Sequence, residues 1–229
     1  MTQSSESADL DALPVRPLAI VAVICGVLFL LLAVVIAIHP APSALDRAVE
    51  DHLVPASDES RQFEIASTGS DMGSPTAVVV AGVLLAAGCW WYTKRWRLAL
   101  LLVAAPGIAG VLAETILKPI VGRPAISNYG HPSRVFSFPS GHAAGATGLA
   151  VAVALVACVL FRTNTRRNVI IVVAALYALT VGVAQIVTSA HYATDVLGGA
   201  LLGTCVAVSV ALLLEQTPTR RFSASSAPT

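Results

Sequence analysis

The sequence predicts an all-α, polytopic membrane protein, a bundle of six transmembrane helices. Three observations carry that expectation. Apolar residues make up 56% of the 229 positions and charged ones 12%, too few charges to clothe a water-soluble domain of this length. The apolar residues gather into six runs of about 20, the length a helix needs to cross a bilayer. The charges lie between the runs, and nine of the fourteen Lys and Arg fall on the side holding both termini, which places the termini in the cytoplasm of a plasma-membrane protein.

In chain order, residues 1–16 read as a disordered cytoplasmic tail and 17–215 as the membrane domain. The first span is Leu18 to Ile38, retained as an anchor because it is longer than a signal core and follows an acidic rather than basic tail. Residues 39–75 form a polar, acidic extracytoplasmic connection. Within it, Ala44 to Val54 has helical apolar spacing, so it lies along the membrane surface or is a solvated loop. The second span, Thr76 to Tyr92, ends at Lys94, Arg95 and Arg97 with Trp90 and Trp91 beside them, an interfacial anchor. The third, Leu98 to Leu117, carries Glu114 four residues before Lys118, a spacing that lets the two pair on one helix face. A Pro/Gly-rich loop, 118–139, leads to the fourth span, His142 to Phe161. The fifth covers Val169 to Val187 and the sixth Tyr192 to Leu214. Residues 216–229 read as a second disordered tail. Cys25, Cys89, Cys158 and Cys205 each sit in a different apolar run, with neither CxxC pairs nor loop-borne spacing. The near-zero net charge leaves no nucleic-acid footprint.

Chemistry concentrates at two helix starts. In Pro139-Ser140-Gly141-His142, the proline stops any upstream helix and the serine caps the next one. The glycine lets an anion approach the unpaired N–H groups at the helix N-terminus. In His191-Tyr-Ala-Thr-Asp195, histidine and carboxylate share a helix face, so Asp195 can hold one ring nitrogen protonated and leave the other nucleophilic. With both stretches on the outer face, His191 attacks phosphorus and His142 protonates the leaving alkoxide. The backbone N–H groups of Gly141 and His142, the Ser140 hydroxyl, Lys118 and Arg123 hold the phosphoryl oxygens. The scheme calls for no metal and no cofactor.

These residues resemble the type 2 phosphatidic acid phosphatase (PAP2) family of membrane lipid phosphate phosphatases, whose site is similar to that of the vanadium haloperoxidases. The family's motifs are Lys-x6-Arg-Pro, Pro-Ser-Gly-His and Ser-Arg-x5-His-x3-Asp, and the likeness covers about residues 65 to 205. It implies a phosphohistidine on His191, orientation of that ring by Asp195, proton donation by His142, and phosphate binding by Lys118, Ser140 and Gly141. The substrate it implies is a lipid phosphomonoester or diphosphate such as phosphatidate, phosphatidylglycerophosphate or a polyprenyl diphosphate. The second motif is complete. In the first, Ala125-Ile126 stand at the Arg-Pro positions, with Arg123-Pro124 two places earlier; in the third, Ala184-Gln185 replace Ser-Arg.

Two readings follow from the missing arginines. Either Arg123 and Arg134 substitute while Gln185 supplies a neutral hydrogen bond, or the chain is a weakly active or inactive binder of lipid phosphates. A transporter is a further reading, but it calls for broken or polar helices at mid-membrane, and the last three spans are nearly free of ionisable residues. A zinc hydrolase built on His142, His191 and Asp195 is distinguished by its sensitivity to chelators. Gly199 and Gly203 form a GxxxG pair suited to tight packing within the bundle or to dimerisation. Nothing in the sequence fixes an oligomeric state.

Overall fold

Serine caps and small residues set where the helices begin and how closely they pack. The computed structural model describes residues 13–126, 136–161 and 164–216. The elements are α1 (Val15–Ile38), α2 (Ala44–Leu53), α3 (Arg61–Asp71), α4 (Pro75–Thr93), α5 (Trp96–Val111), a π turn (Leu112–Leu117), α6 (Lys118–Val121), α7 (Gly141–Leu160), α8 (Asn164–Val187) and α9 (Ala193–Gln216). Helix α5, the π turn and α6 form one continuous span, and six spans are long and apolar enough to cross a membrane. Ser43, Ser60, Ser74 and Ser140 each accept a hydrogen bond from the backbone N–H three residues on, at 3.0 to 3.4 Å. Pro75 follows its cap at the first helical position, where a missing N–H costs nothing. Lys94 ends α4 in the left-handed conformation, with its ammonium 4.9 and 4.8 Å from the Trp90 and Trp91 ring centres.

Helix α7 is the hub, flanked by α4, α5, α8 and α9. Its contact with α9 is so close that a Cβ at Gly203 would stand 2.9 Å from the Gly148 nitrogen, and one at Gly199 2.9 Å from the Ala143 Cβ. Both glycines of the GxxxG pair therefore serve packing inside the bundle. Gly203→Val is expected to force α7 and α9 apart at a cost of about 1–3 kcal/mol, read as a lowered thermal midpoint in detergent. The outward faces of α1, α4 and α8 keep large apolar side chains exposed, Leu30, Leu84 and Val173 among them, as a lipid-facing surface requires.

Several boundaries differ from the hydropathy reading for one reason: apolarity marks the membrane, whereas the helix runs on into its polar margin. Helix α8 begins at Asn164 rather than Val169, with the Asn164 side chain accepting from Arg167 at 2.8 Å. The third span continues past Leu117 to Val121. Residues 39–75 are the larger correction. They contain two capped helices, so α2 is not a solvated loop, and its Asp46 is buried against α9.

Candidate active site

The site forms where α7 and α9 begin. Phe138 stacks on Phe29 of α1 with ring centres 5.9 Å apart, and its ring occupies the space left by Gly198. That contact fixes the approach to Ser140, whose backbone N–H donates to the Asp195 carbonyl at 3.0 Å. The Pro-Ser-Gly-His stretch and the first turn of α9 are thus tied together, and His142 and His191 lie at the same end of the bundle.

His191 is positioned by the end of α8. The Gln185 carbonyl accepts from the Ala190 and His191 N–H groups at 3.0 and 3.1 Å, and Ser189 reverses the chain with φ of +55°. The His191 Nδ1 faces Asp195 Oδ2 at 3.6 Å, both side chains fully enclosed, while the Tyr192 N–H donates to the same oxygen at 3.0 Å. The other Asp195 oxygen accepts from Arg123 Nη1 at 2.6 Å.

Arg123 is committed to this carboxylate side. Besides Asp195, it donates to Thr194 Oγ1 at 2.8 Å, to Asp46 Oδ2 at 2.9 Å and to the Pro40 carbonyl at 3.1 Å, and its plane covers the Tyr192 ring at 4.2 Å. It is 1% exposed, with at least four of its five N–H groups engaged. The sequence places Arg123 at the phosphate; the structure places it between two carboxylates.

Asp46 completes the cluster and is the residue that sequence reasoning missed. It accepts from the Thr194 N–H at 2.9 Å, the Thr194 hydroxyl at 3.0 Å and the Ser43 N–H at 3.0 Å, in addition to Arg123. Burial pushes its carboxyl pKa up, but the hydrogen bonds from Thr194, Ser43 and Arg123 together outweigh that and hold it below the ordinary aspartate value. The Ser43-x-x-Asp46 capping box was a readable sign of a helix start, though not of burial.

On the other flank, Lys118 Nζ donates to both Glu114 carboxylate oxygens at 2.8 Å. That carboxylate lies against Gly141, where any Cβ would overlap it. Ser140 is fully buried, and its Oγ accepts from the Ala143 N–H as a cap, which leaves its own hydrogen to donate. His142 is half-buried in the first turn of α7. Gln185 is buried and donates from Nε2 to Ser70 of α3 at 2.7 Å. Arg134 lies outside the described residues. Among the described residues no three His, Cys, Asp or Glu side chains converge in the manner of a metal site.

Fold and site define a class, a helical membrane protein with a buried His–Asp pair tied to a capped helix start, against which a Glu–Lys pair lies. Residues 96–218 match the family model of the PAP2 superfamily, more than half of the chain, and the protein belongs to that family as a multi-pass membrane phosphatase. Phosphatidylglycerophosphatase B of Bacillus subtilis (strain 168) is 31% identical over 143 residues, covering 61% of this chain and 69% of the relative. The crystal structure described as the first transmembrane PAP2 type phosphatidylglycerolphosphate phosphatase from Bacillus subtilis superposes with a TM-score of 0.72 at 25% identity. The overlap covers 87% of this chain and 98% of that one.

Proposed function

We propose that the protein hydrolyses a lipid phosphomonoester or diphosphate at the extracytoplasmic face through a phosphohistidine on His191, with phosphatidylglycerophosphate as the leading substrate. The observation that carries this reading is the enclosed His191–Asp195 pair, tied through the Ser140 N–H to the start of α7. With Nδ1 held toward Asp195, the Nε2 lone pair attacks phosphorus. The N–P bond forms as the ester P–O bond breaks, and His142 passes its proton to the departing alkoxide. A water then gives a proton back to His142 and attacks phosphorus, the N–P bond breaks, and inorganic phosphate leaves. Lys118, the Gly141 and His142 N–H groups and the Ser140 hydroxyl meet the charge that develops on the phosphoryl oxygens.

Two further features support a lipid substrate. An apolar groove between α7, α8 and α9 begins at Ala143, next to His142, and runs past Thr147 and Val151 toward Ala154, with Ile186 on its α8 wall. An alkyl chain fits such a lining. The excess of Lys and Arg at the opposite end of the bundle supports an extracytoplasmic location for the site. In this scheme Arg123 holds Asp195 aimed at His191 rather than gripping phosphate.

The test is phosphate release from phosphatidylglycerophosphate by purified protein in detergent. Turnover is expected to survive excess chelator within about twofold, since no divalent ion enters the scheme, and to be blocked by orthovanadate, which adopts the five-coordinate geometry of the transferring phosphoryl group. Loss of turnover on chelation sinks the metal-free scheme. A wild type that binds lipid phosphate without turnover on phosphatidylglycerophosphate, phosphatidate or polyprenyl diphosphate favours the binder, as Ala125 and Gln185 standing in for arginines would suggest.

A further inference from the structure

We propose that Glu114 is an internal competitor for the phosphate seat, filling it in the substrate-free protein and yielding it to the phosphoryl group. The inference rests on the phosphatase reading above, in which Lys118 and the start of α7 bind phosphate. Both Glu114 oxygens lie 2.8 Å from Lys118 Nζ, so a carboxylate already holds the ammonium that would meet a phosphoryl group. The same carboxylate sits against Gly141, so that a Cβ there would come within 2.7 Å of its carboxyl carbon. An anion is therefore already lodged where the glycine's lack of a side chain permits one to approach the N-terminus of α7.

The local backbone explains how it gets there. Glu114 lies in the π turn Leu112–Leu117, whose cap bond runs from the Lys118 N–H to the Ala113 carbonyl. The wider turn interrupts the α-helical ladder between α5 and α6 at the point where acid and base must both face α7. Lys118 is 6% exposed on its side chain and Glu114 39%, so the acid is the partner with room to leave.

Displacement has a direction. Phosphate binding breaks the Glu114–Lys118 contacts, and departing inorganic phosphate lets them re-form. The carboxylate thus weakens substrate and product alike and hastens clearance of the product. Glu114→Gln removes the charge and keeps the shape; Glu114→Ala removes both.

Inhibition by inorganic phosphate and the KM for phosphatidylglycerophosphate are to be measured for wild type and both variants, alongside thermal midpoints. In both variants the phosphate inhibition constant and KM are expected to fall together by about tenfold, with kcat unchanged or reduced, as for uniform tightening of ground state and transition state. If both variants bind phosphate as weakly as wild type or more weakly, Glu114 merely holds Lys118 in place and the proposal is overturned. A wild type that neither binds phosphate nor turns over lipid overturns the phosphatase reading itself, and the proposal with it. If one variant fails to fold, the other decides.

Discussion

His191→Ala is expected to lower turnover of phosphatidylglycerophosphate by about 10⁴-fold or more while the protein stays folded. The imidazole is enclosed, and among the described residues the Asp195 carboxylate's other contacts are Arg123 and the Tyr192 N–H. Because Arg123 and the Tyr192 N–H still hold Asp195, removing the ring leaves a cavity and no orphaned charge. A lowered but still cooperative thermal midpoint, set by that cavity, should accompany the kinetic loss. His142→Ala should behave differently. As the donor to the leaving group it costs about 10²–10⁴-fold on a lipid alkoxide, and much less on an aryl phosphate whose leaving group needs no proton. Retention of more than a tenth of wild-type activity by His191→Ala would falsify the covalent route.

Removing the Arg123 side chain is expected to be the most destabilising single change in the site. Its guanidinium is the shared counterion of two buried carboxylates, Asp46 and Asp195, and its loss strands both away from water. Breaking one partner out of a buried ion pair costs about 3–5 kcal/mol, or on the order of 10 °C in thermal midpoint for a chain of this size. Arg123→Lys should rescue little, because an ammonium is a point charge that cannot span Asp46, Asp195, Thr194 and Pro40 at once. Activity should fall with stability and KM should change little, whereas a residue gripping phosphate would raise KM in a folded protein. The cluster also predicts an acid limit. With the Asp46 pKa held below the ordinary aspartate value of 3.8, its contribution is complete above about pH 4 and lost as pH falls through the lower folded value. Asp46→Asn should remove that part of the acid dependence, measured by thermal melts across pH.

The helical architecture was legible because bilayer thickness imposes a length that composition reveals directly, and all six apolar runs became spans. The Ser74 and Ser140 caps and the i, i+4 spacing of His191 and Asp195 were equally readable, since each is set by neighbours along the chain. Asp46 was not. An aspartate in an acidic connection looks solvated, and its burial depends on Arg123, 77 residues away, and Thr194, 148 residues away. The direction taken by Arg123 was hidden for the same cause: a motif shows that an arginine is near a site, but only packing shows which anion it meets. Helix α3 escaped because its polar face carries the composition of a loop, although Ser60 caps it in the ordinary way. The π turn left no signature, as no residue pattern distinguishes it from the α-helix that it interrupts.

The Asp46–Arg123 contact also separates two boundaries that are easily conflated. The family-matched segment, 96–218, contains every residue assigned to bond making and breaking, yet Asp46, Pro40 and Ser70 all precede it. A polypeptide trimmed to the matched segment would keep its reagents and lose the scaffold that aims them. Chimeras that exchange the amino-terminal third between relatives should succeed only when the donor brings an acidic residue in register with the recipient's arginine.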